Sequence, residues 1–84
     1  MKPHKILEKL HSSSKNVSFR DMVKLVEAFG FAFSRTKGSH QIFVHPDFKE
    51  PVNLQEVNGQ AKPYQVKQFL KLVEKYNLEL KDGG

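Results

Sequence analysis

The chain has 84 residues, no cysteine, and 14 Lys or Arg against 9 Asp or Glu, a net charge of +5. That length allows one domain with a small core, and the lack of thiols excludes both a disulfide framework and a thiolate metal site. The basic excess favours a polyanionic partner, either nucleic acid or an acidic protein.

No apolar run reaches the ~20 residues that span a bilayer. The charged opening Met1-Lys2-Pro3-His4-Lys5 does not read as a secretory leader. A soluble, cytoplasmic protein with no membrane partner is expected.

In chain order, residues 4–11 predict a short helix, with Ile6, Leu7 and Leu10 on one side and Pro3 in its first turn. Ser12 to Asn16 is a polar linker whose side chains compete for backbone bonds and end that helix. Ser18 then caps a second helix over 19–29, its oxygen placed to accept from the Asp21 N–H, with Val17 and Met22 set as a hydrophobic staple. Met22, Leu25, Val26 and Phe29 recur at i, i+3, i+4 and i+7, and Gly30 supplies a left-handed stop.

Phe31 to Arg35 alternates as a half-buried strand, and Lys37-Gly38 fits a two-residue hairpin turn. His40 to His45 is a second strand, with His40, Ile42 and Val44 on one face and Gln41, Phe43 and His45 on the other. Residues 46–51 read as a connection fenced by Pro46 and Pro51, Val52 to Gln55 as a short third strand, and Asn58 to Ala61 as a loop. Pro63 opens a last helix over 63–76 with Val66, Phe69, Leu70 and Val73 as its apolar stripe, ended by Asn77. Residues 81–84 are expected to fray.

The expected architecture is a two-layer α+β domain, α-α-β-β-β-α, whose three antiparallel strands stand in the order 1-2-3. Residues 1–84 form one unit, with the helix at 4–11 added ahead of a core at 18–76. Helix, three strands and helix is also the order of double-stranded-RNA-binding domains, which does not by itself give a function.

The chemistry concentrates at Thr36 to Phe43. An imidazole titrates near neutrality and serves as base or acid. His40 is therefore the candidate catalytic group, taking the proton of a ribose 2′-OH so that the oxygen attacks the adjacent phosphorus. Arg35, Lys37 or Lys49 then stabilises the phosphorane, and Ser39 adds a hydroxyl donor. Such a mechanism requires RNA, since DNA lacks the 2′-OH. Against this stands an ordinary strand histidine bonded to a carbonyl, and Gly38 and Ser39 as turn residues only.

His40 and His45 face opposite ways, so no metal or other cofactor is expected. Lys62, Lys67, Lys71 and Lys75 recur along the last helix, as an RNA-binding stripe or simply as its wet face. Tyr64 and Phe48 are the aromatics that can stack on bases or pack in the core.

From Phe29-Gly30-Phe31 through Lys37-Gly38-Ser39-His40-Gln41-Ile42-Phe43 the chain resembles HicA-type (YcfA-like) toxins, small mRNA interferases of toxin–antitoxin systems. The resemblance implies a fold like the double-stranded-RNA-binding domain. It implies metal-independent cleavage of mRNA by the histidine matching His40, and neutralisation by a HicB-like antitoxin covering this site. Lys37, Gly38, Ser39, Arg35, Lys49, Lys62 and Lys67 are then the residues expected to bind RNA.

The chain departs from the pattern in three places. Gln41 stands where many members have a second histidine, Val52-Asn53-Leu54-Gln55 replaces a Pro-x-His segment, and the first helix is extra. These departures leave a non-catalytic RNA-binding module as the alternative, and a protein-interaction domain with no nucleic-acid role as a third reading.

Overall fold

The computed structural model describes residues 2–80, so the fraying expected at 81–84 lies outside the described residues. Three helices, α1 (Pro3–Ser12), α2 (Phe19–Ala28) and α3 (Pro63–Lys75), accompany four strands, β1 (Ala32–Lys37), β2 (His40–His45), β3 (Phe48–Val57) and β4 (Gln60–Ala61). The sheet is antiparallel in the order β1-β2-β3-β4. The fold is α+β as expected, and the first three strands keep their expected order, but β4 makes four strands rather than three.

The helix ends follow their local chemistry. Ser18 Oγ accepts from the Asp21 N–H at 3.0 Å, relieving one of the donors that a helix start leaves unpaired. At the far end of α2, Gly30 has φ 100°, with Gly30 N–H donating to Glu27 O and Phe31 N–H to Val26 O. α3 ends the same way: Asn77 has φ 51°, its N–H donates to Glu74 O, and Leu78 N–H donates to Val73 O. Both ends have the paired bonds of a Schellman motif.

The first hairpin turns one residue later than expected. Lys37 and His40 are paired, so Gly38-Ser39 is the two-residue loop. Gly38 alone takes positive φ, 62°, as in a type II′ turn. The β3–β4 hairpin lies where a loop is expected. Asn58 and Gly59 have φ 53° and 79°, the left-handed pair of a type I′ turn, for which Asn-Gly is the strongest short signal.

Strand β3 is ten residues long and runs through Pro51. Proline is accommodated because the register of β2 against β3 shifts between Phe43 and His45, and because β4 reaches only Glu56 and Val57 on the other edge. No ladder bond is asked of the missing N–H.

The helices cover one face of the sheet. The core joins Ile6 and Leu10 of α1, Met22, Leu25 and Val26 of α2, and Val66 and Phe69 of α3 to Phe43, Val52 and Leu54 of the sheet. Phe69 packs edge-on against both Phe29 and Phe31. Ile42 is only 6% exposed yet lies outside this core. It belongs to the opposite face, flanked by its strand partners Arg35 and Asn53.

The entry to α2 is stitched to β4. Ala61 N–H donates to Val17 O, and Phe19 N–H to Gly59 O, both at 2.9 Å. Residues 17–19 thus cap the edge that this short strand would otherwise expose.

Candidate nucleic-acid interface

The helix-free face of the sheet gathers the polar residues around His40. Cross-strand partners share a face, and His40 is paired with Lys37 on one side and Gln55 on the other. Lys37 therefore stands about 5 Å from His40 between β-carbons. Arg35, opposite Ile42, lies on the diagonal at about 7–8 Å.

This grouping depends on a β-bulge. The register of β1 against β2 shifts between Phe33 and Arg35, leaving Ser34 as the extra residue. Phe33 is paired with Phe43 and touches its ring edge-on on the helix side. Unbroken alternation, expected from Phe31 to Arg35, puts Arg35 on that same side. The bulge moves Arg35 and Lys37 to the face of His40.

His40 is half-buried, and its Nδ1 lies 2.7 Å from Asn53 Oδ1. That oxygen can only accept, so Nδ1 carries the hydrogen. Nε2 has no partner among the described residues. Since no buried side-chain nitrogen or oxygen there goes unpartnered, Nε2 reaches solvent. In the neutral ring it is the free lone pair.

Ser39 is held as well. Gln55 Nε2 donates to Ser39 Oγ at 3.0 Å, which leaves the serine's own hydrogen free to point at a ligand. Gln55 is anchored in turn: its backbone N–H donates to Gln65 Oε1 of α3 at 2.6 Å, and its carbonyl accepts from the Lys62 N–H at 3.3 Å. The turn, both middle strands and the head of α3 form one hydrogen-bonded frame.

Other expected site residues sit elsewhere. Lys62 follows β4 and stands one strand beyond Gln55, about 10 Å of backbone from His40. Lys49 shares the open face, but the register sets it near the His45 end of β2, about 15 Å along the sheet from His40. Of the three cations expected to meet the phosphorane, Lys37 and Arg35 are therefore nearer His40 than Lys49 is. Lys67 is exposed on α3, on the other side of the sheet.

The aromatics also divide. Phe48 is unavailable to a base, because it is stacked between His45 at 4.4 Å and Tyr76 at 4.4 Å. His45 is buried on the helix side, its Nδ1 accepting from the Asp47 N–H at 3.1 Å, so the two strand histidines do face opposite ways. Tyr64 is 64% exposed, with its hydroxyl accepting from Gln68. Among the described residues, no three His, Asp or Glu side chains gather to hold a metal ion, and no helix is long and apolar enough to cross a membrane.

Two residues of this frame, Asn53 and Gln65, escaped the sequence reading. Asn53 alternates outward between the core residues Val52 and Leu54, which marks its face but not its partner. Gln65 gives no signal, since an amide among exposed helix positions looks solvated.

Comparison with known proteins sharpens the picture. Searches of curated proteins and of solved structures gave no match. The family described as the HicA toxin of bacterial toxin–antitoxin systems matches residues 19–74, from the first residue of α2 almost to the end of α3. That match takes in the hairpin, the bulge and the whole His40 frame, and the chain belongs to the HicA toxin family.

Proposed function

We propose that this protein is a metal-independent endoribonuclease, the mRNA-cleaving toxin of a toxin–antitoxin pair, with His40 as its general base. The observation that carries this reading is the solvent-facing Nε2 of His40 on the same open face as Lys37 and Arg35. An unprotonated ring nitrogen beside two cations suits a reaction in which a hydroxyl loses a proton while negative charge grows on phosphate oxygens.

In this mechanism Nε2 takes the proton of the ribose 2′-OH. The oxygen attacks the neighbouring phosphorus, and the P–O5′ bond breaks. The leaving oxygen takes a proton from water, giving a 2′,3′-cyclic phosphate and a 5′-hydroxyl, and the imidazolium returns its proton to solvent. Lys37 and Arg35 meet the non-bridging oxygens, with the Ser39 hydroxyl as a further donor. The tight Gly38-Ser39 turn brings backbone close to the phosphate. Lys62 is the next cation along and Lys49 would meet flanking nucleotides on the same face, whereas Lys67, on the helix side, would meet only RNA that wraps around the domain.

The open face and the order of elements support a likeness to double-stranded-RNA-binding domains, with residues 1–84 acting as one unit and α1 as an addition. Family membership supports an antitoxin partner, which we take to be HicB-like and to cover the His40 face in the cytoplasm. The test is incubation of RNA with the protein in EDTA. New 2′,3′-cyclic ends that vanish with His40→Ala support the reading. Salt-sensitive binding without cleavage overturns it in favour of an RNA-binding module.

A further inference from the structure

We infer that Asn53 is a positioning residue for His40: it selects which ring nitrogen is the base and fixes the direction in which that nitrogen points. The inference rests on the reading of His40 as the base, but its physical content stands on the ring itself. Asn53 is not opposite His40. Its strand partner is Ile42, and the bond to Nδ1 runs diagonally across the β2–β3 ladder. At 2.7 Å the contact is short for a neutral pair. Because Oδ1 accepts and cannot donate, it holds the hydrogen on Nδ1 and leaves Nε2 as the only basic position.

Orientation of a histidine by a hydrogen bond to its far nitrogen is a recurring device in catalytic sites, usually through a carboxylate. Here the orienter is an amide. It fixes the tautomer, yet adds no charge to stabilise the imidazolium formed when Nε2 takes a proton. Replacing it with a carboxylate should therefore keep the geometry and raise the pH at which the base titrates, since a nearby anion favours the charged ring.

The experiment uses the full chain with Asn53→Leu and Asn53→Asp. Asn53 is exposed and outside the core, and matching circular dichroism shows that each variant folds. Two readouts are taken: the His40 tautomer from ring-nitrogen NMR shifts, and single-turnover cleavage of an RNA oligonucleotide across pH. The wild-type ring should be protonated at Nδ1. Asn53→Leu should release it to a mixture of tautomers and lower the single-turnover rate at saturation by about 10- to 100-fold, with the half-saturating concentration unchanged. Asn53→Asp should restore the tautomer and most of the rate, with the rising, acid-side limb of the profile moved to higher pH.

A wild-type ring protonated at Nε2, or an Asn53→Leu variant with unaltered tautomer and rate, overturns the inference. If cleavage survives in His40→Ala, the proposed function fails instead. In that case the NMR readout alone decides for or against Asn53.

Discussion

Gln65 reaches from α3 to hold the backbone N–H of Gln55, the residue directly opposite His40, at 2.6 Å. The amide is only 5% exposed, so the core end of α3 and the open face of the sheet are linked through one strand. Replacing Gln65 with Leu leaves a strand N–H without its acceptor. The expected loss is about 1–3 kcal/mol, read as a lower denaturation midpoint with unchanged m-value. Because Gln55 also holds Ser39, cleavage should fall along with stability.

Lys37 and Arg35 should act on binding before anything else. Changing Lys37 to Gln is expected to reduce the slope of log affinity against log salt by about 0.7 to 1, as for one lost phosphate contact. It should also slow cleavage. Lys49→Gln, about 15 Å from His40, should weaken affinity for a long RNA but leave the single-turnover rate at saturation unchanged. Filter binding at three salt concentrations, followed by saturating kinetics, separates the two.

Gly38 tests the turn. A β-carbon there meets nothing within 4 Å, yet φ is 62°, a region that costs an ordinary L-residue about 1–2 kcal/mol. Gly38→Ala should lower stability by about that much through the backbone alone. Gly38→Asn, which tolerates left-handed φ, should cost less. Thermal unfolding of the pair gives the ordering, and an alanine variant as stable as wild type contradicts the turn assignment.

Acid and base should each loosen the end of α3. Glu50 accepts from Lys75 and, at 2.6 Å, from the Tyr76 hydroxyl. The hydrogen bond from Lys75, then that from Tyr76, holds the Glu50 carboxyl below its ordinary range, and the bond to Glu50 raises both Lys75 and Tyr76. A lowered carboxyl stabilises the fold above its unfolded pKa and stops doing so as pH falls through the folded one. A raised lysine or tyrosine stabilises below its unfolded pKa and stops as pH rises through the folded one. The gap in Tm between wild type and Glu50→Gln should therefore be widest near neutrality and close at both extremes. It should be small throughout, because the pair is exposed.

Much of this molecule was readable in advance, because its elements announce themselves locally. Ser18, Gly30, Pro63 and Asn77 bracket α2 and α3 by side-chain and φ requirements that need no tertiary context. The opposite facing of His40 and His45 followed from strand parity alone. What escaped depends on pairing. Pro51 looks like a stop until the register shift beside it is known, so the pattern shows only Val52 to Gln55 of a strand that is ten residues long. Asn58-Gly59 carries the turn chemistry of a hairpin, but the two-residue β4 beyond it is too short to show a strand's alternation. The contact between Asn53 and His40 joins residues 13 apart in sequence, and no periodicity reveals a diagonal.

The extra residue at Ser34 has a wider implication for how such a protein tolerates change. Side chains along β1 are all exposed, so many identities should be interchangeable there at little energetic expense. Its length is another matter. Removing one position would rotate Arg35 and everything before it, or Lys37 and everything after it, by half a turn relative to the neighbouring strand. A chain with an unaltered inventory of charges would then display them to the wrong hemisphere. Apart from Arg35 and Lys37, substitution scans of this strand should look permissive where single-codon deletions are disabling.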